Sequence, residues 1–141
     1  MMLATACTAA QLSATFKAVP GSAGAGNIVY ALNVRNISKR ECFVTGIPGI
    51  TLLDSRGKPL PTNARPSNPG AMTAVIVRLK PGASSKATAR FSPDVPPGCN
   101  PKAYELRVGP SSGGTLIARV EPPTRLCQRG SMRWTPFSIS S

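Results

Sequence analysis

Apolar and polar residues alternate along this chain in short segments, and each segment ends at proline or glycine. Residues 27–38, NIVYALNVRNIS, show the alternation most clearly. One phase of this segment is apolar: Ile28, Tyr30, Leu32 and Val34. A period of two residues is typical of a β-strand that packs one face against a core. Because the chain also contains 15 prolines and 13 glycines, long helices are not expected.

The rest of the chain has the same organisation. Further strand-like segments are residues 11–19, 41–46, 50–60, 72–93, 103–110, 115–123 and 131–139. We count about eight or nine short strands with turn residues roughly every 8–14 positions, which is typical of a β-sandwich or barrel. GIPG at 46–49 predicts a turn, and the four prolines of residues 59–71 predict an extended connection between two sheets. We therefore expect an all-β fold, an antiparallel β-sandwich, with residues 7–141 as its single domain.

Four cysteines are widely spaced along the chain: Cys7, Cys42, Cys99 and Cys127. Because no Cys-x-x-Cys pair is present, a zinc site and a thioredoxin-like redox site are disfavoured, and we expect no metal and no cofactor. The even number favours two structural disulfides and an oxidising compartment. Of the three possible connectivities we predict the local one, Cys7–Cys42 with Cys99–Cys127. Each bridge would close a loop of about 30–35 residues, which corresponds to about 3.5–4 kcal/mol of stability in the chain-entropy account.

The first residues, MMLATAC, lack the basic start and the apolar core of a complete signal peptide. We expect residues 1–6 to be the remnant of an export signal with an added start methionine. The small residues before Cys7 also resemble a lipoprotein cleavage site, and lipidation of Cys7 is the alternative to a bridge there. No apolar stretch approaches the ~20 residues that a membrane span needs.

The chain carries 17 basic and 5 acidic residues, so its formal net charge is +12. Such a charge attracts anionic partners and discourages self-association, and a monomer is expected. The sequence contains no histidine. This removes the commonest general base and every Ser/His or Cys/His pair, which disfavours most nucleophilic catalysis.

Several short motifs occur in an order that resembles a known family. The motifs are Cys7, GSAGAG, LNVRNIS, CFVTGIPGI, LLDSRG, RLKPGASSKA, PGCNP and RLC. In this order they resemble an actinobacterial family of secreted and lipoprotein modules that is classed as a domain of unknown function. The resemblance covers nearly the whole chain. It implies an immunoglobulin-like sandwich, export from the cytoplasm and two disulfides, and it carries no catalytic residues. Many members of that family are less basic, so a partner particular to this chain is expected.

The basic residues are the strongest functional signal. Several occupy the strand phase opposite the apolar residues, so they should lie on solvent-facing sheet surfaces. The candidate anion-binding residues are Arg35, Lys39, Arg40, Arg125, Arg129 and Arg133. The alternative, held open here, is a soluble basic surface in which Lys and Arg protect sheet edges from pairing with other chains.

Acidic residues and the single tryptophan have plainer interpretations. The acids are Glu41, Asp54, Asp94, Glu105 and Glu121. A glycosidase needs two carboxyl groups roughly 5–10 Å apart, and no two of these acids are close in sequence. We expect each acid to balance a nearby cation, and we assign no catalytic residue. Trp134 is expected in the core rather than on the surface as a platform for a sugar ring.

Three classes of function follow from these observations. We expect a non-catalytic secreted or cell-envelope module that binds an anionic envelope polymer, a lipid headgroup or an acidic protein. Binding of nucleic acid through generic charge is the second possibility, although aromatic residues for base stacking are scarce and no recognised motif is present. A hydrolase is the third and the least expected.

Overall fold

The computed structural model describes residues 5–24, 26–45, 49–66, 76–109 and 114–139. Within these ranges the chain is all-β, apart from a single turn of 3-10 helix at Ala9–Gln11. The strands in chain order are β1 Thr5–Ala6, β2 Leu12–Ala18, β3 Ile28–Asn36, β4 Cys42–Thr45, β5 Gly49–Leu53, β6 Asn63–Pro66, β7 Ile76–Leu79, β8 Ser84–Phe91, β9 Ala103–Gly109, β10 Leu116–Thr124, β11 Ser131–Trp134 and β12 Ser138–Ile139. The turn predicted at 46–49 lies mostly outside the described residues, as do residues 67–71 of the proline-rich segment.

The strands form two sheets. The larger has the order β5-β9-β10-β2-β3-β8-β11-β6, with β12 also paired to β8, and the smaller has the order β1-β4-β7. Most neighbours are antiparallel, but β1–β4, β2–β10 and β6–β11 are parallel. The sheets are therefore mixed and not uniformly antiparallel as expected. The reason is that each parallel pair joins strands from distant parts of the chain, which no tight hairpin connects.

One strand, β6, lies where the sequence predicted only a connection. Asn63–Pro66 pairs in parallel with Ser131–Trp134, and Pro66 ends the strand. The strand is at the edge of the sheet, where a proline is tolerated because its missing N–H faces no neighbour. Gly130, with φ of +74°, lies against Pro61, and a Cβ at this position would collide with the Pro61 carbonyl oxygen. The glycine thus allows the chain before β6 to approach β11 closely.

The core is built from residues of both sheets, most of them from the larger one, and the predicted alternation is confirmed in the long strands. On β3 the phase of Tyr30, Leu32 and Val34 is buried, and on β8 the phase of Ala87, Ala89 and Phe91 is buried. At the centre Phe16 contacts both Tyr30 and Trp134, with ring centroids 5.1 and 5.9 Å apart. Trp134 is fully buried, so its predicted place in the core is confirmed.

Both predicted disulfides are confirmed. One joins Cys7 to Cys42 and the other joins Cys99 to Cys127, and no cysteine is free. Because the Cys7 sulfur is bonded to Cys42, the structure is not compatible with lipidation at that sulfur. The first bridge fixes the chain before β2 to β4, and the second holds the loop before β9 against the chain after β10. No helix in the described ranges is long and apolar enough to cross a membrane.

Tyr30 links β3 to β10, two strands of the larger sheet that are not neighbours, through a hydrogen bond. Its hydroxyl donates a hydrogen bond of 2.7 Å from β3 to the carbonyl oxygen of Pro122 on β10. The ring packs between Phe16 and Phe91. Burial raises the pKa of the Tyr30 hydroxyl, and a hydrogen bond with Thr124 opposes part of this shift.

Removing the first bridge should be costly. We expect the double variant Cys7→Ser/Cys42→Ser to lose about 3.5–4 kcal/mol of unfolding free energy in urea titrations, because the bridge spans 35 residues of chain. The unreduced protein should yield a disulfide-linked peptide pair containing Cys7 and Cys42. Mass spectra that link Cys7 to Cys99 or Cys127 would contradict the fold.

Tyr30→Phe should lower the unfolding free energy by about 1 kcal/mol near neutral pH, because it removes the hydrogen bond to Pro122. The folded state holds the Tyr30 proton more tightly than the unfolded state does. The stability of the parent protein should therefore decline as the pH rises above about 10, the ordinary tyrosine pKa, and this part of the decline should be absent in the variant. Tyr104→Phe, at an exposed ring, is the control. If the unfolding free energies of the parent and of Tyr30→Phe declined equally above pH ~10, the predicted role of the Tyr30 hydroxyl would be wrong.

Candidate anion-binding surface

Three arginines from separate parts of the sequence lie side by side on neighbouring strands. Arg133 of β11 is paired directly with Arg90 of β8 on one side and with Arg65 of β6 on the other. Neighbouring strands of a sheet lie about 4.7–4.9 Å apart. All three side chains are exposed. We call Arg65, Arg90 and Arg133 the arginine row.

The core determines which way the row faces. Met132 and Trp134 flank Arg133 on β11 and are fully buried, while Ala89 and Phe91 flank Arg90 on β8 and are also buried. Because successive strand residues point to opposite faces, Arg133 and Arg90 must point outward. The row is therefore set by the same alternation that fills the core.

No acid balances the row within the described residues, whereas acids do oppose cations elsewhere on the surface. Lys17 Nζ lies 3.8 Å from Glu121 Oε2, the one ion pair in the described part of the chain. Arg119 of β10 has Glu105 of β9 as its direct strand partner. Like charges that oppose each other across strands are destabilising. We therefore expect the row to lower the stability of the fold.

A shallow groove of about 360 Å³ runs along the row on the outer face of the sheet. It is lined by Val29, Thr88, Arg90, Arg133 and Thr135. Val29 of β3 is the direct strand partner of Arg90, so the floor of the groove continues the row toward the middle of the sheet. The two threonine hydroxyl oxygens lie 2.8 Å apart. The groove therefore joins an apolar floor, two hydroxyls and two guanidinium groups.

The structure separates the six basic residues that the sequence singled out. Arg133 belongs to the row. Arg35 lies on the same strand as Val29 but six positions farther along, about 20 Å away at the rise of a β-strand. Lys39 and Arg40 are exposed in the loop after β3, and the buried Asn36 side chain holds this loop by donating to the Arg40 carbonyl oxygen at 2.7 Å.

Arg125 and Arg129 lie near the second disulfide and not in the row. Arg125 Nε donates to the carbonyl oxygen of Pro93 at 3.3 Å. Arg129 has φ of 62° in the turn before β11, and its backbone N–H donates to Gly98 at 2.9 Å. Arg133 is not grouped with Arg125 and Arg129, because a turn separates these two residues from the strand that carries Arg133.

Arg65 and Arg90 are not among the six anion-binding candidates that the sequence predicts. The outward phase of Arg90 was visible from its alternation with Ala89 and Phe91. Arg65 gave no such signal, because it lies in the proline-rich segment that was interpreted as a connection. Neither residue could be placed beside Arg133 without knowing the strand order.

Two acids are brought together on the opposite part of the sheet. Glu105 and Glu121 line a groove of about 440 Å³ together with Tyr104 and Arg119. Glu121 faces Lys17 at 3.8 Å, and Glu105 is the strand partner of Arg119. The expectation that acids balance nearby cations therefore agrees with the placement of both residues.

The fold and this surface define a two-disulfide, all-β module with an uncompensated basic row. The chain belongs to the family described as "Domain of unknown function (DUF4232)", whose family model matches residues 7–138. The resemblance to a family classed in this way is thereby confirmed. No curated protein and no solved structure matches the chain.

Arg133→Gln should stabilise the protein at low ionic strength, because it removes the charge that faces a like charge on both sides. We expect an increase in unfolding free energy of up to about 1 kcal/mol in urea titrations at 10 mM salt. The increase should vanish near 1 M salt, where the screening length falls to about 3 Å. Arg119→Gln, which removes a cation opposite Glu105, is the charge-matched control and should not stabilise. A stability loss for Arg133→Gln at low salt would contradict this account.

Proposed function

We propose that this protein is an exported, immunoglobulin-like binding module without catalytic activity, and that the arginine row holds an anionic polymer of the cell envelope. The observation that carries the proposal is the direct pairing of Arg133 with Arg90 and Arg65. A surface that keeps three like charges together at a cost to stability is explained by a ligand that neutralises them.

The strand order supports the immunoglobulin-like part of the proposal. In that fold one sheet has the order A-B-E-D and the other has C-F-G. Here β2-β3-β8 corresponds to A-B-E, and β5-β9-β10 corresponds to C-F-G, both in strand order and in chain order. The parallel pair β2–β10 joins the two halves. The strands β11 and β6, which carry two arginines of the row, extend the A-B-E half.

The disulfides support export. Two bridges among four cysteines are expected of proteins that fold outside a reducing cytosol. The net charge of +12 adds support for an anionic partner, since a strongly basic surface raises the local concentration of anions.

A polymer accounts for the shape of the row better than a small ion does. The three arginines span two strand spacings, about 10 Å, and Lys86 lies on the outward phase of β8 beyond the groove. A chain with repeated negative charges can contact several of these cations at once, which strengthens binding without any new contact type.

Binding should be tested on four immobilised or vesicle-borne anions at equal ionic strength: phosphate-bearing wall glycan, heparin, double-stranded DNA and anionic lipid vesicles. We expect the triple variant Arg65→Gln/Arg90→Gln/Arg133→Gln to bind wall glycan about ten-fold more weakly or worse, because it removes three cation contacts. The dependence of binding on salt should also become less steep.

The control is a second triple variant, Arg56→Gln/Lys102→Gln/Arg119→Gln, which removes the same charge from exposed positions outside the row. It should bind wall glycan nearly as the parent does. Equal losses for the two triple variants would show generic charge attraction and would refute the proposal. Tighter binding to heparin, to DNA or to vesicles than to wall glycan would replace the envelope polymer with that class of ligand.

A further inference from the structure

The groove beside the row contains a hydroxyl proton that has no acceptor among the residues that the structure describes. The backbone N–H of Thr88 donates to Thr135 Oγ1 at 3.0 Å, and the backbone N–H of Thr135 donates to the Thr88 carbonyl oxygen at 2.9 Å. The two hydroxyls form one further hydrogen bond of 2.8 Å with each other. Two hydroxyl groups have two protons, and their mutual bond uses one. Whichever hydroxyl donates to the other, one O–H remains for a ligand.

The guanidinium groups of the groove are equally free. Arg90 and Arg133 are strand partners at its border, and neither side chain has a hydrogen bond or an ion pair with another residue of the described ranges. Each guanidinium group presents a fork of N–H donors that suits phosphate or carboxylate oxygens. Two forks and one hydroxyl therefore border the same groove.

The remaining wall of the groove is aliphatic. Val29 is the strand partner of Arg90. Ala31, two residues farther along the same strand, is the strand partner of Thr88 and is only 8% exposed. No aromatic ring and no carboxylate is among the groove residues. A nucleic acid would find no ring on which to stack a base here, whereas methylene groups would lie well against Val29.

We propose that this groove seats a single phosphodiester group of an aliphatic polyol-phosphate chain, with its free oxygens between Arg90, Arg133 and the spare threonine hydroxyl. The proposal rests on the proposed function and names its ligand. A carboxylate accepts best from donors that lie in its own plane, whereas the two free oxygens of a phosphodiester surround a tetrahedral phosphorus and can accept from donors that approach from different sides. The carbons on either side of the phosphate lie on Val29.

The test uses three synthetic chains with the same number of charges: an oligomer of glycerol phosphate, oligoglutamate and oligothymidylate. Binding to the intact protein is measured by calorimetry at low salt. We expect the glycerol phosphate chain to bind at least about ten-fold more tightly than oligoglutamate, because a tetrahedral phosphodiester accepts from donors on different sides, whereas a planar carboxylate accepts best in its own plane. It should also bind more tightly than oligothymidylate. Equal binding of the three chains would overturn the inference.

The hydroxyl count makes a second, non-additive prediction. Thr88→Val leaves the Thr135 hydroxyl free to donate outward. Thr135→Val leaves the Thr88 hydroxyl free and also removes the acceptor of the Thr88 backbone N–H, so its folding is checked by urea titration as well. Each single variant should therefore lose less than about two-fold in binding of the glycerol phosphate chain, and the double variant should lose about ten-fold. Thr15→Val, at an exposed threonine of β2, is the matched control and should have no effect. An unaffected double variant would overturn the inference.

Two further measurements keep the outcome interpretable. Urea titrations establish that the double threonine variant folds. Arg90→Lys keeps the charge but not the planar guanidinium fork, and it should weaken binding of the glycerol phosphate chain as the double threonine variant does. If the triple arginine variant loses binding but the double threonine variant does not, the phosphate seat is wrong and the envelope function stands. If the triple arginine variant binds wall glycan as the parent does, the function itself fails.

Discussion

The stacking of Trp134 on Phe16 in the core is the contact on which the outer surface depends. Trp134 ends the strand β11, and its burial fixes which face of that strand points inward. A shift of one residue in register would turn Arg133 into the core and Trp134 into solvent, an exchange that no packing could compensate. The inside of the sheet thus dictates the outside. Arg133 faces solvent between two other arginines because its neighbours on β11, Met132 and Trp134, are buried in the core.

Disulfides and a hydrogen bond between distant parts of the chain stabilise the fold against the self-repulsion expected of a net charge of +12. The two disulfides restrict the unfolded chain, and the Tyr30 hydroxyl joins β3 to the Pro122 carbonyl oxygen across the fold. These ties differ in kind: covalent bonds act mainly on the unfolded state, whereas the buried hydrogen bond acts on the folded one. Together they allow a small, strongly basic domain to keep like charges close together on one face.

The uneven distribution of charge on the sheet is the feature that connects stability with binding. On β9 and β10 a cation faces an acid, as at Arg119 and Glu105, and near β2 Lys17 faces Glu121. On β8, β11 and β6 a cation faces a cation. Proteins keep locally unfavourable arrangements where a function requires them and compensate for the cost elsewhere in the fold. The groove with its spare hydroxyl proton lies at this unfavourable place, which is why we assign the ligand to it.

The sequence by itself determined the all-β class, the presence of two bridges and the inward phase of the long strands, because each follows from local periodicity or from the number of cysteines, whereas the structure selected one of three possible pairings. It also placed Arg90 and Arg133 on solvent-facing phases. Only the tertiary structure decided that these two residues are neighbours and that Arg65 joins them, because strand order depends on contacts between remote segments. The same reason explains the parallel pairs and the strand β6, whose proline-rich sequence has no strand signal and which forms only because β11 offers it an edge.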